Sequence, residues 1–263
     1  MKLTVFASGS SGNCLLLSGR GTNILIDAGI SARRISDMLG ECCLSLQDIT
    51  GVLITHEHSD HISGLLGLSR RCGAEIFAPR TVAARLRGML PQIDERLCVI
   101  PVGEDFMISR LKVRAFHTPH DTDESVGYRV ECGGVFAIAT DMGCVTEEVR
   151  ENLLGADAAL IEANHDVDML RFGRYPVFLK RRILSEHGHL SNENCAALAR
   201  ELAQSGTRTI ILGHLSRENN TPGKAMAETG AALLGTETEL YCAPVLGCLT
   251  VEIQNEVQTG LLL

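Results

Sequence analysis

The chain of 263 residues contains no tryptophan and only 7 phenylalanines and 3 tyrosines. Its interior must therefore be filled by Leu, Ile, Val and Ala, and a hydrophobic content of 45% supplies them. No apolar run approaches the ~18 residues that a membrane-spanning helix needs. Met1 to Ala7 is a strand-like run broken at once by Ser8-Gly9-Ser10, which is no signal-peptide hydrophobic region. The 10 cysteines include no C-x-x-C pair, and most lie in apolar segments, as reduced, buried thiols do. These absences give the expectation of a soluble, cytoplasmic protein with no membrane partner. Excess positive charge is lacking too. At a net charge of −8, any contact with nucleic acid needs local basic patches. Arg33-Arg34, Arg70-Arg71, Arg85 with Arg87, and Lys180-Arg181-Arg182 are the candidates, against the plainer reading of each as a solvated helix face.

What the chain does have is Thr55-His56-Glu57-His58-Ser59-Asp60-His61, the pattern H-x-H-x-D-H. Neutral imidazole and carboxylate oxygen are the ligands that borderline divalent metals prefer. The apolar run Gly51 to Ile54 reads as a buried strand leading into the cluster. After it, Ile62, Leu65, Leu66 and Leu68 fall on one helical face. His56 and His58 then sit on a turn at a strand end, Asp60 and His61 open a helix, and the two pairs can point at two metal positions. A polar loop with Asp60 as helix cap is the bland alternative. Capping needs one residue and explains none of the histidines.

Along the chain, strands are expected at Leu3 to Ser8, Asn13 to Ser18, Asn23 to Asp27, Glu75 to Ala78, Leu97 to Ile100, Leu111 to Phe116, Ser125 to Glu131, Val135 to Thr140, Ala158 to Glu162 and Thr209 to Gly213, with two more near Leu240 and Leu249. Helices are expected at Ser31 to Leu39, Arg80 to Leu90, Val177 to Leu184, Asn192 to Ala203 and Pro222 to Leu234. No repeat or linker interrupts them. The simplest organisation is one α/β domain over residues 1–263, with two sheets packed together and covered by helices.

The remaining candidates occupy strand exits. Asp27 follows Ile24-Leu25-Ile26, and Asp141 follows Phe136 to Thr140. His214 follows Ile210 to Gly213, and His120 follows the Val113-to-Phe116 strand by a short loop. Loops carried on a rigid sheet often hold functional side chains. Taken singly, Asp27-Ala28-Gly29 is an ordinary turn, Asp141 a cap and His120 a surface histidine. Taken with H-x-H-x-D-H they supply the number of ligands a two-metal site needs. Asp141 is the best-placed carboxylate to bridge two cations.

In that order, Asp27, the His56–His61 cluster, His120, Asp141 and His214 resemble the metallo-β-lactamase-fold hydrolases over nearly the full chain. The resemblance implies an αββα sandwich of two mixed sheets flanked by helices. It implies one metal on His56, His58 and His120, a second on Asp60, His61 and His214, Asp141 between them, and Asp27 supporting the ligands from behind. Four further segments are similar to the YycJ/WalJ group of bacterial proteins. They are Ser8 to Asn13, Glu162 to Asp166, Gly188 to Asn192 and Gly213 to Asn220. That group is associated with 5′-to-3′ exonuclease activity on DNA.

Two divalent ions lower the pKa of water and neutralise phosphate oxygens, which suits hydrolysis of a phosphodiester by a metal-activated hydroxide. Asp60 and Asp141 are the candidate catalytic carboxylates. Imidazole and carboxylate suit zinc and manganese, and iron as well. Candidate substrate contacts are Ser10 in the Gly-rich turn, His165, His189 ahead of the expected cap Ser191, and Ser216, Arg217 and Asn219 after His214. A tight turn, a hydrogen-bonded structural histidine and a surface salt bridge are the corresponding plain readings. His117 and His187 are read as ordinary surface residues. Hydrolysis of a thioester, lactam or small phosphodiester remains the alternative activity. A metal-stabilised binding protein with closed coordination is the non-enzymatic one. The oligomeric state is not legible.

Overall fold

The structure is a computed structural model and describes residues 1–253. The expected span 1–263 thus ends in residues outside those described. The first sheet is built from β1 (Lys2–Ala7), β2 (Cys14–Gly19), β3 (Thr22–Ile26), β4 (Gly51–Leu53), β5 (Glu75–Pro79) and β6 (Leu97–Ile100). The second contains β7 (Asp105–Ile108), β8 (Leu111–His117), β9 (Val126–Glu131), β10 (Val135–Ala139), β11 (Ala158–Glu162), β12 (Thr209–Gly213) and β13 (Glu239–Cys242). The last strand, β14 (Leu249–Glu252), returns to the edge of the first sheet beside β1. Both sheets are mixed. Strands β3 to β6 run parallel and β14, β1, β2 and β3 antiparallel. In the second sheet β10 to β13 run parallel and β7 to β10 antiparallel.

Alternation along the strands separates the layers, because successive side chains point to opposite faces. In β2, Leu15 and Leu17 face the second sheet, where they join Val113, Tyr128, Phe136 and Leu160. Cys14 and Leu16 point the other way, toward Ile35, Leu39, Leu65 and Leu86. These belong to helices α1 (Ala32–Glu41), α3 (Leu65–Ser69) and α4 (Arg80–Met89), with the single turn α2 (Ser59–Ile62) before α3. On the outer face of the second sheet, Ala137, Ile161 and Leu212 pack with Val149, Leu198 and Ala225. Those side chains come from α5 (Glu147–Leu153), α8 (Asn192–Gln204) and α9 (Pro222–Ala232). Between α5 and α8 lie two short helices, α6 (Val167–Phe172) and α7 (Val177–Ile183). The order helix, sheet, sheet, helix is the expected αββα sandwich. Among the described residues no helix is long and apolar enough to cross a membrane.

The expected helix after His61 is two helices, broken at Gly64. At the break the Gly64 N–H donates to the Ala28 carbonyl at 2.8 Å and the Asp60 carbonyl takes the Asn13 N–H. The approach requires glycine, since a Cβ on Gly64 would stand 1.8 Å from the Ile30 carbonyl oxygen. Leu65 and Leu68 are buried, whereas Leu66 is only partly so. Strand β7 and helices α5 and α6, each of 4 to 7 residues, were not expected from the sequence. They are too short to show a period.

Candidate metal centre

Six of the seven expected ligands lie at or just beyond the carboxyl ends of β4, β10 and β12, and His120 lies in the loop from β8 to β9. Sharp backbone turns make this possible. Asp27, Asp141 and His214 each follow a buried strand at φ of 60°, 55° and 54°, a left-handed conformation few residues other than glycine adopt. The turn swings each side chain off the strand and across the sheet end. The His214 N–H donates to Ser8 Oγ at 2.9 Å, and Asn164 Nδ2 donates to the His214 carbonyl at 3.0 Å. The Ala28 and Asn13 N–H groups bond the carbonyls of His61 and Asp60, both at 2.8 Å. Gly29 is required here, since a Cβ would meet the Asp60 carbonyl oxygen at 1.7 Å.

Two groups of ligand atoms result. His56 Nε2 and His58 Nδ1 are 3.0 Å apart, and His120 Nε2 is 3.3 Å from the same His58 nitrogen. Two nitrogens on one tetrahedral zinc stand about 3.3 Å apart, given a Zn–N distance of ~2.05 Å. The second group gathers around Asp60, whose Oδ2 is 3.6 Å from both His61 Nε2 and His214 Nε2. Asp141 reaches both groups. Its Oδ1 is 3.7 Å from His120 Nε2, and its Oδ2 is 3.3 Å from His61 Nε2. Asp141 Oδ2 and His214 Nε2 are buried yet form no hydrogen bond. Buried polar atoms are seldom left so, and convergent imidazoles with an unsatisfied carboxylate oxygen fit a divalent cation. Each group has ligand atoms within 4.8 Å of one another. Cys144 belongs to neither.

Asp27 stands behind the candidate ligands of the Thr55-to-His61 segment, in contact with His61. It accepts from the Thr55 N–H at 2.9 Å, and its Oδ2 is 2.7 Å from His61 Nδ1. That contact fixes the His61 ring with Nε2 forward, the arrangement that raises a ligand's basicity. Burial alone would lower the His61 pKa, but Asp27 and Asp141 raise it to about 10. For His56 burial prevails, with His61 beside it, and its pKa falls well below the usual imidazole value. Burial would raise the carboxyl of Asp141, yet His214 and His61 hold it well below the ordinary range.

Two further acids complete the centre, and the sequence reading assigned neither a role. Glu162, at the end of β11, is fully buried. Its Oε1 lies 2.7 Å from His189 Nδ1 and 3.1 Å from His214 Nδ1, and its Oε2 accepts the Met142 N–H at 2.9 Å. Burial opposes its charge, but His189 and His214 lower its pKa to about 2. In return, although burial works against it, Glu162 raises the pKa of His189. The one signal in the sequence is that Glu162 closes an apolar run, Ala158 to Ile161, as Asp27, Asp141 and His214 follow theirs. Asp121, beside His120, is the other. Its Oδ1 is 3.4 Å from His120 Nε2, and its Oδ2 pairs with Arg182 of α7.

Ser10, Asp121, Asn164, Tyr175, His189 and Ser216 help line a cleft of about 210 Å³ that adjoins this centre through Asp121 and His189. His189 turns Nδ1 to Glu162, which leaves Nε2 for the cleft. Arg217 is at the surface, donating to Ser11 Oγ at 2.7 Å. His165 is buried with neither ring nitrogen hydrogen-bonded, and lines an adjoining hollow of about 180 Å³ shared with His189. Asn219 is 1% exposed and is not among the residues lining the cleft. Ser191 caps α8, accepting the Asn194 N–H at 3.2 Å. A larger hollow of about 320 Å³ lies at the opposite strand ends, where Glu237, Glu239 and Glu252 make it unsuited to phosphate.

Residues 22–215 match the family described as "Beta-lactamase superfamily domain". The chain is 35% identical to a Bacillus anthracis protein named exodeoxyribonuclease YycJ, over 84% of each chain. It is 37% identical to exodeoxyribonuclease WalJ of Streptococcus pneumoniae over 83% of each. Among solved structures, the metallo-β-lactamase fold protein YhfI of Bacillus subtilis aligns with a TM-score of 0.71 at 15% identity, covering 95% of this chain and 99% of that one. Zinc-bound PqqB of Methylobacterium extorquens aligns at 0.72 and 18%, covering 96% and 100%. At these identities the two structures speak for the fold alone.

Proposed function

The chain belongs to the beta-lactamase superfamily, and from that premise we propose that it is a dinuclear metal-dependent phosphodiesterase, a 5′-to-3′ exonuclease acting on DNA. The observation that carries this reading is the reach of Asp141 between two convergent ligand groups, beside a cleft lined by Asp121 and His189. His56, His58 and His120 would hold one cation and Asp60, His61 and His214 the other, zinc or manganese by the ligand chemistry, with iron as the third choice. When bound, such a pair lowers the pKa of water toward neutrality and neutralises phosphate oxygens.

The chain's own groups do the rest. Asp60, half-buried at the second position, accepts a hydrogen bond from the nucleophile and orients it. Glu162 keeps a proton on the His189 ring, and Nε2 faces the cleft, where it can pass that proton to the departing sugar oxygen. Ser10 and Ser216 can donate to the non-bridging oxygens, with Arg217 at the rim. These donors suit a phosphodiester better than a thioester, which carries no charge for them to meet. We also read residues 1–263 as one domain, since both sheets contribute to the same centre.

The test is degradation of 5′-labelled DNA by metal-loaded protein, with His58→Ala as the control. Mononucleotide release that is lost in the variant supports the proposal. Metal-loaded protein that leaves DNA and model phosphodiesters intact, or that cleaves a thioester faster than a phosphodiester, overturns it.

A further inference from the structure

Beside the cleft stands a group of side chains that phosphodiester hydrolysis does not use. From Arg171 to Leu184, the end of α6, the turn after it and α7 carry five basic residues and no acidic one, in a chain of net charge −8, and Asp168 earlier in α6 is the one carboxylate of the two helices. The same stretch holds Phe172, Tyr175 and Phe178, three of the few aromatic residues in the protein. Phe172 and Phe178 are 86% and 73% exposed, whereas the other phenylalanines are buried or partly buried. Val177 is 65% exposed beside them.

This surface is anchored rather than loose. Lys180 Nζ donates to the carbonyls of Arg171 and Gly173 at 2.8 and 2.7 Å, and Asp166 caps α6 through the Met169 N–H at 2.7 Å. Arg182 pairs with Asp121, which touches His120. Tyr175, Leu179 and Arg182 form a wall of the cleft that His189 lines. Arg171, Arg174 and Arg181 have no acidic or carbonyl partner among the described residues.

We propose that the α6–α7 surface is a stacking platform for unpaired bases, so that the strand entering the cleft lies single-stranded across Phe172 and Phe178. The proposal rests on the cleft being a nucleic-acid phosphodiesterase site. Exposed rings interleaved with unpaired guanidinium groups match the two chemical faces of a single strand, its bases and its phosphates. A duplex presents bases already stacked on one another and would leave the rings in water. A second copy of this chain is disfavoured by charge. A two-fold contact sets a patch against itself, and here that brings three unpaired arginines together with Asp168 as the one carboxylate of the two helices to meet them.

The experiment is the full-length double variant Phe172→Ala/Phe178→Ala, whose truncated rings are both on the surface. Binding of a single-stranded oligonucleotide is read by fluorescence anisotropy in chelator, alongside an abasic strand of equal length. Hydrolysis of a small activated phosphodiester is measured with metal present. Losing a base–ring stack weakens single-strand binding by roughly 5- to 150-fold. The expected result is a loss of at least tenfold for the base-bearing strand, no change for the abasic strand, and unchanged hydrolysis of the small diester. Equal binding of the base-bearing strand by variant and parent overturns the platform and leaves the phosphodiesterase intact. So does a parent dimer that becomes monomeric in the variant, or parent binding to anionic vesicles with none to the oligonucleotide. Conversely, a parent that binds the strand through these rings but hydrolyses no phosphodiester overturns the activity and keeps the platform.

Discussion

Replacing Glu162 by Gln removes one negative charge from a fully buried position while keeping the side chain's shape. The amide oxygen can still accept the Met142 N–H now at 2.9 Å. The amide nitrogen, however, is a donor set against His189 Nδ1 and His214 Nδ1, which stand 2.7 and 3.1 Å from Oε1 in the parent. Each charge-assisted bond of this kind contributes about 1.5–3 kcal/mol. If the His189 bond serves to hold the proton that the leaving oxygen receives, losing it slows that step by roughly 10- to 150-fold. The loss should depend on the leaving group. DNA expels a poor one and needs the proton, whereas a nitrophenyl diester expels a good one and does not. The assay is kcat on 5′-labelled DNA and on a bis-nitrophenyl phosphate, with metal per chain measured for both proteins. With metal content retained, a large loss on DNA and a small one on the activated diester is expected. Because Glu162 raises the His189 pKa, the alkaline limb of the DNA rate profile should also move to lower pH in the variant. Equal losses on both substrates, or none on DNA, would refute His189 as the proton donor.

Three other outcomes are expected. Asp27→Ala removes the acceptor behind His61 and should weaken metal binding at the Asp60–His61–His214 position by roughly 10- to 100-fold, read by calorimetric titration. Gly29→Ala forces a methyl into the Asp60 carbonyl, and should lower stability by about 3 kcal/mol or more and scatter the ligands, seen as a lower Tm together with lost metal. Burial holds the His165 pKa at about 4, below the ordinary 6.5. The unfolded chain therefore binds the extra proton first, and stability falls as pH drops from 6.5 toward 4. Urea unfolding of metal-free protein should show that His165→Leu retains roughly 3 kcal/mol that the parent loses across this window.

The candidate ligand set stood out because its residues are chemically unusual where they stand. Three histidines and an aspartate after a buried strand have no packing explanation, and Asp141 and His214 end runs of apolar residues. The two-sheet architecture was legible from many short apolar strands with helices interspersed. Leu15, Leu16 and Leu17 show no alternation in the sequence, and only the fold sends Leu16 to the helices and the other two to the second sheet. Glu162 went unassigned because a lone glutamate at a strand end resembles a solvent-facing residue. Only the fold reveals that β11 lies between β10 and β12 and aims it at His189 and His214. Asp121 was hidden for a related reason, since its partner Arg182 is 61 residues away. The division of one expected helix into α2 and α3 accompanies the bonding of the Gly64 N–H to the Ala28 carbonyl, a contact between segments that no periodicity encodes.

The most direct measurement is anomalous diffraction from crystals of metal-replete protein, recorded on both sides of the metal's absorption edge. Two peaks are expected, one among His56, His58 and His120 and one among Asp60, His61 and His214, with the Asp141 carboxylate between them. A single peak, or Asp141 and His214 turned away from an empty second position, contradicts the two-cation centre.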